Sequence, residues 1–119
     1  MPSQLCSHCC RHTVIRDGRA FDIGETFSGV DWATGLVAAG QFTALAAEQG
    51  PAGATAAQVA IAWCAQQSGV TTVIPGARTP DQARANAAAA ALLPLPAAVL
   101  DGVVRIYDEH LRAAIHPRW

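Results

Sequence analysis

Val70-Thr71-Thr72-Val73-Ile74-Pro75-Gly76-Ala77-Arg78-Thr79-Pro80-Asp81-Gln82-Ala83-Arg84-Ala85-Asn86 decides the reading of this chain. Val70 to Ile74 is β-branched at every position, which suits a strand interior. Pro75 and Gly76 end it. Thr79 is a good N-cap, Pro80 suits the first helical position, Asp81 lies in the first turn, and Gln82 completes a capping box with Thr79. A short buried strand, a tight turn and a helix start are therefore expected in immediate succession.

A helix start just past a strand end favours anions, because backbone N–H groups and the positive end of the helix dipole face outward there. Arg78 stands at the lip, and a guanidinium fork matches a phosphate. Gln82 and Asn86 are four apart and share one helix face. Two readings follow. In one, a phosphate sits on Arg78 with a base or ribose along Gln82 and Asn86. In the other, this is an ordinary strand-to-helix junction with a solvated arginine and two surface amides.

Outward from this stretch, the 119 residues suffice for one small domain. The chain is 51% hydrophobic and only 14% charged, apolar for its size. With a net charge of −1 and a pI near 6.4, neither nucleic acid nor an acidic membrane surface is an expected partner. The 8 basic residues are all arginine, so chemistry that needs a lysine amine has no source here. Met1 to Cys10 lacks the cationic start and apolar core of a secretory signal. No run of about 18 apolar residues suggests a membrane span. The cytoplasm is the expected location.

Cys6, His8, Cys9, Cys10 and His12 crowd the N-terminus. A zinc site draws a second ligand pair from a separate segment, and His110 and His116 are the only other histidines, on or after the last helix. Residues 1–16 are therefore expected to be a disordered leader, and no metal site is assigned. Cys64 falls inside a predicted helix as a buried thiol. Ala20 to Val30 reads as an ordered loop anchored by Phe21, Ile23 and Phe27.

Asp31 can cap a helix from about Trp32 to Gln49. Thr55, with Gln58 as its capping-box partner, opens a second from Ala56 to about Gln67, burying Val59, Ala60, Trp63 and Cys64. Thr79 opens a third to about Ala91. Pro96 begins a fourth, with Val99, Val103, Ile106, Tyr107 and Leu111 at helical spacing and Pro117 at its end. Tyr107, the only tyrosine, reads as a packed helix residue and not as a catalytic acid. A single strand among helices is an α/β pattern. A strand so apolar wants neighbours on both sides, which this chain does not obviously supply.

Asp17 to Asp31, Thr55 to Trp63, the Ile74-Pro75-Gly76-Ala77-Arg78 turn with Gln82 and Asn86, Tyr107-Asp108-Glu109-His110, and His116-Pro117-Arg118-Trp119 together resemble the C-terminal part of the aldo/keto reductase family. The resemblance covers residues 17–119, and the turn is its specific part. It implies a fold class: α/β, a C-terminal piece of a (β/α)8 barrel, an architecture that needs about 250 residues. The helix after Thr55 would be the seventh barrel helix, Val70 to Ile74 the eighth strand, and Thr79 to Ala91 the eighth helix. The helix after Pro96 would be the extra C-terminal one.

The resemblance also implies the cofactor, NADP(H). Arg78 would pair with its 2′-phosphate and so select NADPH over NADH. Pro75, Gly76 and Ala77 would form the turn that the cofactor approaches, and Gln82 and Asn86 would meet the adenosine end. The family reduces aldehydes and ketones with a tyrosine acid supported by lysine, aspartate and histidine from early strands, and those residues have no counterpart here. The expectation is a truncated, frameshifted or mis-started reductase that holds NADPH but does not act on a carbonyl alone. The alternative is a small nucleotide-binding or regulatory module without catalysis. Exposed apolar faces, made for absent barrel strands, would invite self-association.

Overall fold

The structure is a computed structural model, and it describes residues 29–118. The N-terminal Cys/His cluster, the 1–16 leader and most of the loop around Phe21, Ile23 and Phe27 lie outside the described residues.

Four helical stretches form where the sequence predicts them, three of them with a side-chain cap. Helix α1 is Trp32–Gln49, with Asp31 accepting from the Thr34 N–H at 3.1 Å. Helix α2 is Ala56–Gln66. Its capping box is complete: the Gln58 N–H donates to Thr55 Oγ1 at 3.2 Å, and the Thr55 N–H donates to Gln58 Oε1 at 3.0 Å. Helix α3, Pro80–Ala88, continues as a 3-10 turn over Ala89–Leu92. Helix α4, Ala97–Ile106, passes through a π-helical segment, Tyr107–Leu111, into the short helix α5, Arg112–Ile115. The sequence reads this last stretch as one continuous helix. The wider π turn is a tertiary adjustment that helical spacing does not announce.

The expected strand is not there. Among the described residues no strand forms, and Val70 to Ile74 carries no regular secondary structure. The described residues are helical, as the helix-rich part of the expectation has it, and the strand at 70–74 is the part of it that does not form among them. The physical reason is the one that makes a lone strand costly. Helices satisfy their own backbone groups, whereas a strand needs a neighbour for every N–H and C=O. Val70 to Ile74 finds none among the described residues, and Ile74 is left 90% exposed. Its β-branched run is a propensity without a partner among the described residues.

The core is small. Ala46 of α1, Val59 and Ala62 of α2, Leu95 of the connector and Val99 of α4 form one buried cluster, with Phe42, Trp63, Leu100 and Val103 packed round it. Val59 and Val99 are fully enclosed. Ala60 and Trp63 are only partly buried, Trp63 against the cluster, while Ala62 takes the inner position beside Val59 and Cys64, expected to be buried, is an exposed free thiol. The α2 face is rotated toward α4 and the connector, a choice an alanine-rich helix leaves open because so many of its positions are equally small.

Glutamines at the two ends of α2 hold the next stretch in place. Gln58 Nε2 donates to the Ala85 carbonyl at 3.0 Å, and Gln66 Oε1 accepts from the Leu95 N–H at 2.8 Å. Gly102 lets α4 approach α1, since a Cβ there would fall 2.5 Å from Leu45 Cδ1. No single described helix is long and apolar enough to cross a membrane.

Because Val59 has no room left around it, Val59→Ala is expected to destabilise the chain by about 2 kcal/mol, through lost burial plus a cavity. Thr55→Ala is expected to cost about 1 kcal/mol by removing the α2 cap. Urea unfolding followed by circular dichroism measures both.

Candidate functional site

Helix α3 starts as its sequence says. Thr79 is the N-cap, and its Oγ1 accepts from the Gln82 N–H at 3.2 Å. The predicted capping box is only half made. Gln82 does not turn back to the Thr79 N–H; its Oε1 instead accepts from the Arg78 N–H at 2.7 Å. One turn further along the same face, Asn86 Nδ2 donates to the Gly76 carbonyl at 3.1 Å. Both amides therefore clamp the Pro75–Arg78 turn onto α3, reaching the backbone of the two residues the sequence singles out beside them.

This brings Gly76, Arg78, Gln82 and Asn86 together, with Pro75 and Ala77 in the connecting turn. Pro75, Ala77 and Asn86 also help to line a hollow of about 440 Å³ that Val73, Ile61 and Ala83 share. Gly76 has no positive φ, and a Cβ on it would meet nothing within 4 Å. Neither backbone conformation nor packing thus requires a glycine there; the space beside it is open. Each clamping amide keeps a second polar atom, Gln82 Nε2 and Asn86 Oδ1.

The helix terminus itself has few donors to spare. Pro80 has no N–H, the Gln82 N–H is taken by Thr79, and the Arg78 N–H by Gln82. Asp81, in the first turn, is paired with Arg84 at 2.8 Å on a well-exposed surface, where such a pair adds little stability. Any anion recognition here rests mainly on the Arg78 guanidinium, and less on the helix dipole than the sequence reading supposes.

A larger hollow, about 830 Å³, lies elsewhere. It is an open groove between α1 and the α4–α5 region, walled by Val30, Phe42, Trp63, Val103 and Ile115, and it includes none of the six predicted residues. Its wall is almost wholly apolar, so size and chemistry point to different places. The turn carries the polar groups that can orient a ligand, and the groove is a helix face lacking cover among the described residues.

At the groove's rim lies a cluster that the sequence reading does not single out. The Tyr107 hydroxyl is 2.9 Å from His116 Nδ1, Arg112 Nη1 is 3.4 Å from His116 Nε2, and Arg112 Nε donates to Asp108 Oδ1 at 2.6 Å. The Arg112 guanidinium also lies over the Tyr107 ring, 5.2 Å from its centroid. The spacing of Asp108, Arg112 and His116, four apart each time, was the available signal. Tyr107 is half-buried with its hydroxyl engaged, as a packed tyrosine should be. Among the described residues no group of three or more His, Cys, Asp or Glu is placed to hold a metal.

Against this geometry the comparison with protein families is decisive. The model of the aldo/keto reductase family matches residues 10–108. This chain belongs to the aldo/keto reductase family. The match begins a little before Asp17, where the sequence resemblance starts, ends at Asp108, and takes in the Pro75–Asn86 site. Comparison with curated proteins and with solved structures gives no match. Membership makes the chain part of an oxidoreductase family, one that generally uses NAD(P)H and whose fold is a (β/α)8 barrel.

The clamp makes a specific demand. In Gln82→Ala the Arg78 amide loses its acceptor, and its hydrogen exchange is expected to quicken while the amides of α2 are unchanged. Exchange followed by NMR reads this residue by residue. An Arg78 amide as slow as in the parent chain would refute the clamp.

Proposed function

We propose that the Pro75–Asn86 site binds the adenosine 2′-phosphate end of NADP(H), and that this chain alone does not reduce carbonyls. The observation that carries the reading is a turn open at Gly76, held by Gln82 and Asn86, with Arg78 at its lip. Arg78 would take the 2′-phosphate as a bidentate fork, which distinguishes NADPH from NADH. Gln82 Nε2 and Asn86 Oδ1 would meet the adenosine, and Pro75, Gly76 and Ala77 would let it approach the backbone.

NADPH, when bound, supplies a hydride. A carbonyl that accepts a hydride also needs a proton donor beside its oxygen. This chain has no lysine, and its one tyrosine is hydrogen-bonded to His116 far along the sequence from the turn. The reading is therefore a C-terminal segment of an NADPH-dependent reductase that carries a cofactor site without the tyrosine-centred acid. A carbonyl substrate enters only with the rest of such an enzyme. A regulatory module that binds nucleotide without catalysis remains the second reading, and the same clamped turn serves it equally.

Calorimetric titration with 2′-phospho-AMP and with AMP tests the binding. Arg78→Ala is expected to weaken 2′-phospho-AMP roughly ten- to hundredfold, the worth of a charge-assisted hydrogen bond, and to leave AMP unchanged. Equal losses for both ligands, or no preference in the parent chain, would overturn the assignment. Binding accompanied by cooperative unfolding favours the module; a chain that binds nothing and melts without a transition favours the segment. Oxidation of NADPH by the purified chain with an aromatic aldehyde is expected to stay at background.

A further inference from the structure

Gln58 does two jobs with one side chain. Its Oε1 accepts from the Thr55 N–H at 3.0 Å and closes the capping box of α2, while its Nε2 donates to the Ala85 carbonyl of α3 at 3.0 Å. Capping α2 needs only the acceptor. The donor serves a helix 27 residues further along the chain.

Ala85 is where α3 needs it. The last four carbonyls of an α-helix have no N–H partner within the helix, and in Pro80–Ala88 the Ala85 carbonyl is the first of them. The Ala89 N–H, which would reach Ala85 if the helix continued, turns instead to the Asn86 and Ala87 carbonyls as the chain tightens into the 3-10 turn. The Gln58 amide takes the place left open, as a donor at the negative end of the α3 dipole. A helix of 9 residues is short enough for its last turn to fray unless something outside it holds that turn.

Asn86 stands in that last turn, next to Ala85, and its Nδ2 donates to the Gly76 carbonyl. Gln82 lies nearer the start, where it holds the Arg78 N–H beside the Thr79 cap. The two halves of the clamp therefore rest on different supports, Gln82 on Thr79 and Asn86 on Gln58.

We propose that Gln58, which is not among the six residues expected to meet the cofactor, is a positioning residue of the nucleotide site. By holding the Ala85 carbonyl it keeps the last turn of α3 wound, and so keeps Asn86 on Gly76 and the adenosine end of the site preformed. This rests on the nucleotide reading of the Pro75–Asn86 turn.

Two variants separate the two jobs. Gln58→Glu keeps the acceptor that caps α2 and removes the donor, leaving a carboxylate against the Ala85 carbonyl. Thr55→Ala does the reverse: it removes the hydroxyl half of the cap and leaves Gln58 on Ala85. In calorimetric titrations Gln58→Glu is expected to bind AMP and 2′-phospho-AMP roughly two- to tenfold more weakly, the worth of one neutral hydrogen bond. The factor should be the same for both ligands, because Gln82 still holds Arg78. Thr55→Ala, although less stable, should bind both as the parent does. In proton–nitrogen correlation spectra the Asn86 side-chain amide should move in Gln58→Glu and stay in place in Thr55→Ala. A parent chain with no preference for 2′-phospho-AMP over AMP overturns the nucleotide reading and this proposal with it. A parent with that preference, beside a Gln58→Glu chain of undiminished affinity or a Thr55→Ala chain weakened as much, overturns the role of Gln58 alone. So does an Asn86 amide unmoved in Gln58→Glu. If Gln58→Glu loses the parent's helical circular dichroism, Gln58→Met, uncharged and of similar length, takes its place, and the same outcomes decide.

Discussion

The described fold depends on one small contact, the burial of Val59 and Ala62 of α2 against Ala46, Leu95 and Val99. Everything else is attached to it. Gln58, one residue before Val59, caps α2 and holds α3 through the Ala85 carbonyl. Gln66, at the other end of α2, holds the connector that delivers Leu95 into the core. A helix rich in alanine can come close to its neighbours and bring its polar ends within reach of their backbones. The cost is a core with few large side chains, which leaves apolar faces uncovered among the described residues, the groove beside α1 being one.

The same constraint explains why the turn is held although no strand forms before it among the described residues. The Pro75–Arg78 segment owes its shape to α3, through Gln82 and Asn86, and not to hydrogen bonds within a sheet. Helix α3 is in turn fixed by Gln58 on α2. A chain of side-chain amides thus runs from the capping box of α2 to the Gly76 carbonyl. In an aldo/keto reductase barrel the eighth strand would support this turn from the other side. Among the described residues the helical side supports it, through Gln82 and Asn86.

How well the sequence could be read depended on the range of the interactions involved. Helix starts were legible at Asp31, Thr55 and Thr79, because a cap is a contact over three residues. Arg78, Gln82 and Asn86 were legible as a group because α-helical spacing places the two amides on one face. The Gln82 reading failed in detail, since an amide offered two backbone N–H groups one residue apart chooses by local geometry. The burial of Ala62 in place of Cys64 failed because alanine-rich faces differ too little to orient a helix. The Asp108–Arg112–His116 row carried a spacing signal, but its meeting with Tyr107 depends on a π turn that no local pattern specifies.

Taken by itself, the sequence determined where helices begin, that no lysine is present, and which family the chain resembles. These are matters of residue identity and of contacts a few residues long. Only the tertiary structure decided whether Val70 to Ile74 became a strand, which face of α2 turned inward, and whether Gln82 and Asn86 would hold the turn. A strand exists only when its backbone groups meet another backbone, and five β-branched residues can favour that meeting but cannot provide its other half.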